Sequence, residues 1–374
     1  MRINIKELKE VVSKLALAIE KTKLNPKSGW IELRTLPNST MSLKVSNFDY
    51  FFEATVSFDS GDEEIHATVT SDTFIPLVSK LDDDFVDVEE KLNCLIFKGK
   101  KSEYTFPIIK EDGKTKELDE ITFDQTGCSH AVLTGKEVAS VAETNAKGLS
   151  DSIYKKEIQA YVYMDNDGAI TFTDNIYVNA FDNNEDEPFK FLLNETQAKL
   201  LKVFAGCQAV DILSSKSDNK VCFKDDDKLK LILVVQSEEL TEKFPAIKLR
   251  NIANQNFNTH VVINKKELDK ALARLMVFDK KFDIKVLNYS KLVFGKESLK
   301  LVSIKNKNYE EVPYRESTNA YDREAVIRFA DLVNQLKAVT TPEVDFGYSE
   351  FNAISIHSDI TILIPEIKNV NEKV

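Results

Sequence analysis

The hydrophobic positions of the chain repeat one helical pattern three times. Apolar residues recur at spacings of three and four in "KELKEVVSKL" from Lys6, "KEVASVAETN" from Lys136 and "KELDKALARL" from Lys266. Each segment opens on a Lys-Glu pair, and the pairs are 130 residues apart. A strand-like stretch precedes each helix, namely "RINI", "SHAVLT" and "THVVIN". Equal spacing of like segments predicts three copies of one domain.

A second helix is predicted in each third of the chain. These helices are "SDTFIPLVSKL" from Ser71, "NETQAKLLKVF" from Asn194 and "DREAVIRFADLVNQL" from Asp322. Alternating stretches such as "AISIHSDITILI" follow them and predict strands. Every third therefore reads strand, helix, strands, helix, strands, which is an α+β domain with two helices packed on antiparallel sheet. The predicted domains are residues 1–124, 125–250 and 251–374.

Composition fits a globular protein of two or three domains. The chain has 374 residues, a hydrophobic fraction of 43% and a net charge of −11. It contains no apolar run long enough for a membrane span, and the start "MRINIKEL" lacks the apolar core of a signal peptide. We therefore expect a cytoplasmic protein. The four cysteines are Cys94, Cys128, Cys207 and Cys222. Their wide spacing indicates reduced thiols rather than a disulfide scaffold.

The residues give no catalytic or metal-binding constellation. Neither GxGxxG nor GxxxxGK[ST] occurs, so no standard phosphate-binding loop is encoded. The four histidines are isolated in sequence, and no nucleophile has a base at a recognisable spacing. The acidic stretch "MDNDGAITFTD" from Met164 lacks the twelfth-position glutamate of a calcium loop and favours a hairpin turning at Asp167-Gly168. We expect a binding protein that is not an enzyme, with no cofactor and no metal.

Charge is distributed unevenly between the predicted helices and the rest of the chain. The helices sum to a small positive charge, although the whole chain carries −11. A lysine-bearing surface without base-reading geometry is what phosphate binding requires. Lysine is also simply a common exposed residue of helices, so charge alone leaves both interpretations open.

Taken together, the chain resembles the sliding clamp of bacterial replication, the beta subunit of DNA polymerase III. The threefold repeat matches the three like domains of that family. "AITFTDNIYVNA" from Ala169 resembles the family's middle-domain Thr-Asp-Gly-His-Arg-Leu strand, and "EKFPAIKL" from Glu242 resembles its Phe-Pro-Asp-Tyr segment. The terminal "DITILIPEI" from Asp359 stands where the family has Met-Pro-Met-Arg-Leu. The resemblance covers the whole chain, although the individual motifs are degenerate.

The resemblance implies a DNA polymerase processivity factor with the DNA clamp fold. Two chains would join head to tail into a ring that encircles duplex DNA, is opened by a clamp loader and tethers the polymerase. Helices would line the hole, which implies sequence-independent DNA contacts from Lys6, Lys9, Lys14, Lys21, Lys23, Lys136, Lys199, Lys202, Lys266, Lys270 and Arg274.

The family also binds partner peptides in an apolar pocket and closes its ring at one joint. The implied pocket residues are Ile158, Thr173, Asn175, Ile176, Tyr177, Val178, Pro245, Leu249, Ile362, Ile364 and Pro365. The implied dimer interface consists of Tyr104, Phe106, Val277 and Phe278.

The chain departs from the family where the pocket should lie. Asn175-Ile176-Tyr177 replaces Gly-His-Arg, and Glu366-Ile367 replaces the final Met-Arg. These changes indicate a divergent clamp that accepts a different peptide, and they leave open whether a bacterium or a phage with its own polymerase encodes it. The competing hypothesis is a non-catalytic repeat-built scaffold that does not bind DNA.

Overall fold

The structure of the protein is a computed structural model. The chain folds into two compact units. Unit one comprises Met1–Ala139, Asn183–Phe191 and Lys199–Glu238, and unit two comprises Ser140–Asp182, Leu192–Ala198 and Glu239–Val374. The boundaries of the three sequence repeats stay a prediction. The residues that the structure describes are 1–20, 25–59, 64–150, 157–182, 187–215, 217–226, 228–255, 257–279, 289–304, 307–349 and 353–367.

The first repeat alternates helices with antiparallel strands as its sequence predicts. Its helices are α1 (Ile5–Leu17) and α2 (Ser71–Lys80), with a 3₁₀ turn at Pro26–Gly29. Its strands are β1 (Arg2–Asn4), β2 (Trp30–Leu36), β3 (Thr40–Ser46), β4 (Tyr50–Ser57), β5 (His66–Thr70), β6 (Phe85–Lys91), β7 (Cys94–Lys98), β8 (Glu103–Pro107), β9 (Lys110–Glu111) and β10 (Lys114–Thr115).

The second repeat has the same element order with extra short helices. The helices are α3 (Gly135–Glu143), α4 (Asn145–Ser150), α5 (Glu195–Leu200), α6 (Glu238–Glu242) and α7 (Ala246–Ala253), with 3₁₀ turns at Glu157–Ala160 and Leu201–Phe204. The strands are β11 (Ser129–Leu133), β12 (Val162–Asp165), β13 (Gly168–Phe172), β14 (Ile176–Ala180), β15 (Lys190–Leu193), β16 (Val210–Ser215), β17 (Lys220–Asp225) and β18 (Leu229–Val234).

The third repeat closes the series. Its helices are α8 (Lys265–Asp279) and α9 (Phe329–Leu336). Its strands are β19 (Thr259–Asn264), β20 (Tyr289–Phe294), β21 (Ser298–Ser303), β22 (Tyr309–Pro313), β23 (Glu316–Thr318), β24 (Arg323–Arg328), β25 (Glu343–Tyr348), β26 (Ala353–His357) and β27 (Thr361–Pro365). The α+β class is confirmed, and the paired strands are antiparallel throughout the described residues.

Unit one is built on a sheet to which two repeats contribute. Its strand order is β11-β16-β17-β18-β4-β3-β2-β5, so β4 of the first repeat pairs with β18 of the second. A smaller sheet has the order β1-β6-β7-β8 and ends at the edge strand β8. The fully buried core side chains of the unit include Phe52, Phe74, Phe97, Phe204 and Phe223.

Unit two repeats this construction with the next pair of repeats. Its large sheet contains the run β12-β13-β14-β27-β26-β25-β19-β23, in which β14 of the second repeat pairs with β27 of the third. A smaller sheet has the order β22-β21-β20-β24, with β22 at its edge. The core lies between α8, α9 and these sheets, and it contains Leu268, Leu272, Phe329, Phe346 and Tyr348.

Local signals in the sequence fix several helix starts. Thr134 and Glu137 form a reciprocal capping box, because the Glu137 N–H donates to Thr134 Oγ1 at 3.2 Å and the Thr134 N–H donates to Glu137 Oε2 at 2.8 Å. Asn264 accepts the Glu267 N–H at 3.1 Å at the start of α8. These three repeated helices and the strands before them are confirmed.

Two sequence expectations need correction. The helix predicted from Asp322 to Leu336 begins only at Phe329, because Arg323–Arg328 forms the strand β24 and pairs with β20. The hairpin from Met164 is confirmed, but its turn is Asn166-Asp167, since Gly168 already pairs with Asp165.

Candidate functional site

The first group of candidate residues lies on α1, whose buried face holds Leu8, Val12 and Leu15. Lys6 is exposed and Lys9 is half-buried, and a spacing of three places both on one flank of the helix. Neither side chain has an ion-pair partner among the described residues. Both lysines line a shallow groove together with Asp82, Asp83 and Asp84, and their contact with phosphate stays a prediction.

Lys14 differs from its neighbours because its charge is compensated. Its Nζ lies 3.3 Å from Glu10 Oε1, on the opposite flank of α1. Both residues line a groove of about 680 Å³ in unit one, which also contains Glu7, Asp225 and Cys207. Burial raises the pKa of the Cys207 thiol to about 12, so this thiol is not a nucleophile at neutral pH. The groove has a mixed lining of apolar and polar side chains, which includes three carboxylates.

The second group of candidate residues lies on α8. Leu268, Leu272 and Leu275 are buried, whereas Lys266 and Lys270 are exposed one turn apart. Arg274 is also exposed, but its Nε and Nη2 donate to the two carboxylate oxygens of Glu310, each at 2.7 Å. A bidentate pair of this kind holds the guanidinium in a fixed direction. Lys266 and Lys270, by contrast, have no ion-pair partner among the described residues.

The remaining cationic candidates lie on other elements or outside the described residues. Lys136 is exposed in the first turn of α3, and Lys199 and Lys202 are exposed on α5 and the 3₁₀ turn that follows it. Lys21 and Lys23 lie outside the described residues.

An apolar surface forms in unit two on β12–β14, α6 and α7. The Tyr163 and Phe244 rings stack at a centroid distance of 4.9 Å and form the centre of its floor. The other floor residues are Ile170, Leu192, Ala246 and Leu249. The half-buried side chains above this floor are Ile158, Tyr161, Phe172, Ile176, Val178 and Leu240. We call this set the apolar face. Contiguous exposed apolar atoms of this kind mark interaction sites on folded proteins.

The apolar face includes four of the predicted pocket residues. These are Ile158, Ile176, Val178 and Leu249. Three other predicted pocket residues are Tyr177, Ile362 and Ile364. Because side chains alternate along a strand, these three lie on the opposite side of the sheet and join the core of unit two. Sequence reasoning missed Leu363, which packs against Ile176 and Val178, and the aromatic floor of the face.

The other predicted pocket residues lie around the apolar face. Thr173 and Asn175 line a cavity of about 20 Å³ with Gly148, Asp331 and Asn334, which is too small for a side chain. Pro245 is half-buried at the start of α7, and Pro365 is exposed at the end of β27.

The predicted interface residues lie near two edge strands. In unit one, Tyr104 is half-buried on β8, and Phe106 is buried against Phe74 and Phe97 at centroid distances of 5.4 and 5.3 Å. In unit two, Val277 and Phe278 end α8 with 60% and 51% of their surface exposed. Phe106 therefore belongs to the core of its own repeat, whereas the two α8 residues leave apolar surface open.

Two further classes of site were sought in the described residues. No group of three His, Cys, Asp or Glu side chains in them could hold a metal ion. No helix of the described part is long and apolar enough to cross a membrane.

Comparison with known proteins identifies the fold. No protein-family model matches the chain, and no curated protein matches it in sequence. The structure of the DNA polymerase III beta subunit from Thermotoga maritima matches with a TM-score of 0.78 at 16% identity, over 98% of this chain and 99% of that chain. The beta subunit from Pseudomonas aeruginosa matches at 0.73 and 13%, over 99% and 100%. The DNA polymerase sliding clamp from Bacillus subtilis matches at 0.72 and 16%, over 98% of each chain. The chain has the fold of these clamps.

Proposed function

We propose that the protein is a processivity factor, a divergent sliding clamp that encircles duplex DNA and holds a replicative polymerase on it. The observation that carries the proposal is the clamp fold over 98% of the chain. Lys6, Lys9, Lys266 and Lys270 add to it, since none of them has an ion-pair partner among the described residues. The role is one of binding and not of catalysis. A phage origin and a cytoplasmic location belong to the same proposal.

Strand pairing supports a head-to-tail assembly. β4 of the first repeat pairs with β18 of the second, and β14 of the second repeat pairs with β27 of the third. In the repeat order, β22 corresponds to β4 and β14, and β8 corresponds to β18 and β27. Both β22 and β8 are sheet edges within one chain. A third joint of the same kind would pair β22 of one copy with β8 of the next, and two copies would close the ring.

Charges near the two edges favour this pairing. The turn before β8 carries Lys101, and β22 carries Glu311, whereas Lys100 and Glu310 are already paired with Asp84 and Arg274 of their own chain. Opposite charges across a joint steer association and disfavour the reverse orientation. Val277 and Phe278 would add the apolar contact that a stable joint needs.

The DNA contacts in this proposal are few and independent of sequence. Lys6, Lys9, Lys266 and Lys270 bind phosphates, which fix no register along the duplex. The excess of negative charge in the whole chain repels DNA from the other surfaces. Weak contacts on an enclosed duplex permit sliding.

A trapping experiment tests the proposal as a whole. The clamp is loaded by a clamp loader on nicked circular DNA and passed over a sizing column. We expect co-elution with the circle and release when a nuclease makes the circle linear. Release at the same rate from circular and linear DNA would favour the scaffold hypothesis.

The partner of the apolar face is proposed to be a short segment of the polymerase or the clamp loader. The face offers aliphatic and aromatic side chains, and Arg250 beside it is engaged by Asp165, with Nη1 to Oδ2 at 2.8 Å. An apolar segment docks there by burial of anchor side chains, as in other peptide grooves.

Peptide binding gives a first quantitative prediction. The family's Gly-His-Arg is replaced by Asn175-Ile176-Tyr177, and Tyr177 points into the core. We expect a standard bacterial clamp-binding peptide to bind at least about tenfold more weakly than to the Bacillus subtilis clamp, since one lost charged hydrogen bond costs about 1.5–3 kcal/mol. Fluorescence anisotropy with a labelled peptide measures the two affinities. Ile176→Glu provides the site control, and equal affinity for the two clamps would contradict the prediction.

A further inference from the structure

A cluster of two histidines and one aspartate lies on the large sheet of unit two. His260 is on β19, Asp345 on β25 and His357 on β26. Asp345 is the register partner of His357, and His260 is opposite Gly347. Gly347 has no side chain, and a Cβ there would come within 3.0 Å of Phe257 Cβ. The two imidazole rings approach to a centroid distance of 5.7 Å with an interplanar angle of 43°.

Both imidazoles use Nδ1 for a local hydrogen bond. His260 Nδ1 lies 3.0 Å from Asp345 Oδ2, and His357 Nδ1 lies 3.4 Å from Thr361 Oγ1. A carboxylate at Nδ1 fixes the proton on that nitrogen and leaves the lone pair on Nε2. This carboxylate–histidine arrangement is the usual support of an imidazole that ligates a metal ion.

His357 Nε2 is the unexplained atom of the cluster. It is buried and has no hydrogen-bond partner among the described residues. A buried polar atom without a partner is costly, so such atoms call for an explanation. Burial lowers the pKa of His357, because the buried ring loses the water that would stabilise its charged form. A neutral imidazole nitrogen is a ligand for a cation.

We propose that His260 and His357 form a binding site for one transition-metal dication, with Asp345 as the positioning residue of His260. Imidazole nitrogens suit Zn²⁺, Ni²⁺ and Cu²⁺, whereas Mg²⁺ and Ca²⁺ prefer oxygen ligands. No group of three protein ligands exists in the described residues, so water completes the coordination. His260 remains partly exposed and provides the entry, with 38% of its side chain accessible.

The site would link the apolar face to the outer strands of its sheet. His357 packs edge-on against Phe257, with centroids 6.1 Å apart, and Phe257 packs with Leu363, Ile176 and Val178. An ion between His260 and His357 would tie β19 to β26 across β25. Zinc would therefore stabilise the part of unit two that carries the proposed peptide contacts.

Zinc binding by the full-length, untagged chain tests the site directly. The chelator-treated protein is titrated with ZnCl₂ by calorimetry and checked by equilibrium dialysis. We expect one ion per chain, a higher midpoint of thermal unfolding with zinc, and no response to MgCl₂. His357→Gln and His260→Gln each abolish this binding, and Asp345→Asn weakens it about 10–100-fold.

His130→Gln is the matched control. His130 Nε2 lies 2.7 Å from Asp211 Oδ1 in unit one, so it has a carboxylate partner like that of His260. We expect this variant to bind zinc as the wild type does. Absence of binding to the wild type, or binding that persists in folded His260→Gln, would overturn the proposal. Because His260 is partly exposed, its variant remains informative if His357→Gln does not fold. The outcome does not depend on the clamp function.

Discussion

Replacing Phe278 by aspartate is expected to separate the two-chain assembly into monomers. Phe278 and Val277 leave 51% and 60% of their surface exposed at the end of α8, so they contribute little to the core of their own chain. At a joint with β8, the phenyl ring would become buried. An uncompensated carboxylate there costs roughly 3–5 kcal/mol, which weakens the dimer by more than about a hundredfold. Light scattering should give twice 42.4 kDa for the wild type and 42.4 kDa for the variant.

Phe48→Asp is the matched control for this prediction. Phe48 is 79% exposed in the turn between β3 and β4, two strands of the large sheet of unit one. The same chemical change there should leave the dimer intact. A dimer that survives Phe278→Asp would place the joint elsewhere on the chain. A wild type that is monomeric at every concentration would remove the main support for a self-closing ring.

The repeated architecture could be read from the sequence because each repeat starts with the same local signals. A strand, a capping residue and an amphipathic helix depend on neighbouring residues only, as at Thr134 and Asn264. The prediction for the third repeat is wrong at Arg323–Arg328, where a strand that contains Val326 and Ile327 runs directly into the helix. Only pairing with β20 selects the strand there, and this contact is remote in sequence.

The candidate sites were harder to predict because helix flanks and strand faces depend on tertiary partners. Helical periodicity predicts that Lys6 and Lys14 are equally good candidates for phosphate contacts. In the structure, however, Glu10 forms an ion pair with Lys14 and not with Lys6. Glu310 is distant in sequence and engages Arg274 through packing of β22 near α8. On β27, a shift of one residue distinguishes Leu363, beside the apolar face, from Ile362 and Ile364 in the core.

Within the described residues of unit one, the strand that corresponds to β13 carries polar side chains where β13 carries apolar ones. Where β13 presents Ile170 and Phe172, β3 presents Ser42, Lys44 and Ser46 between core residues. The segment after β10 covers this polar strip, since Lys44 pairs with Glu120 and Ser46 Oγ donates to the Asp119 carbonyl. At this position in the described part of unit one, polar side chains and the segment that covers them take the place of the apolar side chains of β13.

Reversing the charge of Lys6 and Lys9 is expected to weaken duplex binding and its salt dependence. Both ammonium groups lie on one flank of α1 without a partner among the described residues. A closed dimer carries two copies of α1, so the double variant Lys6→Glu, Lys9→Glu removes up to four phosphate contacts. Each contact contributes about 0.9 to the slope of log K against log salt, so the slope should fall by about 2–4. Anisotropy of a labelled duplex at several salt concentrations measures the slope.

The control for this variant keeps the same charge change on a sheet surface. Lys224 and Lys230 are half-buried register partners on β17 and β18. Because these strands carry no candidate DNA contact, the double variant Lys224→Glu, Lys230→Glu should retain the wild-type slope to within about one contact. An equal decrease of the salt slope in the two variants would mean that DNA affinity depends on the net charge of the protein and not on the lysines of α1. Light scattering must give the dimer mass for both, since a change in assembly would also lower the slope.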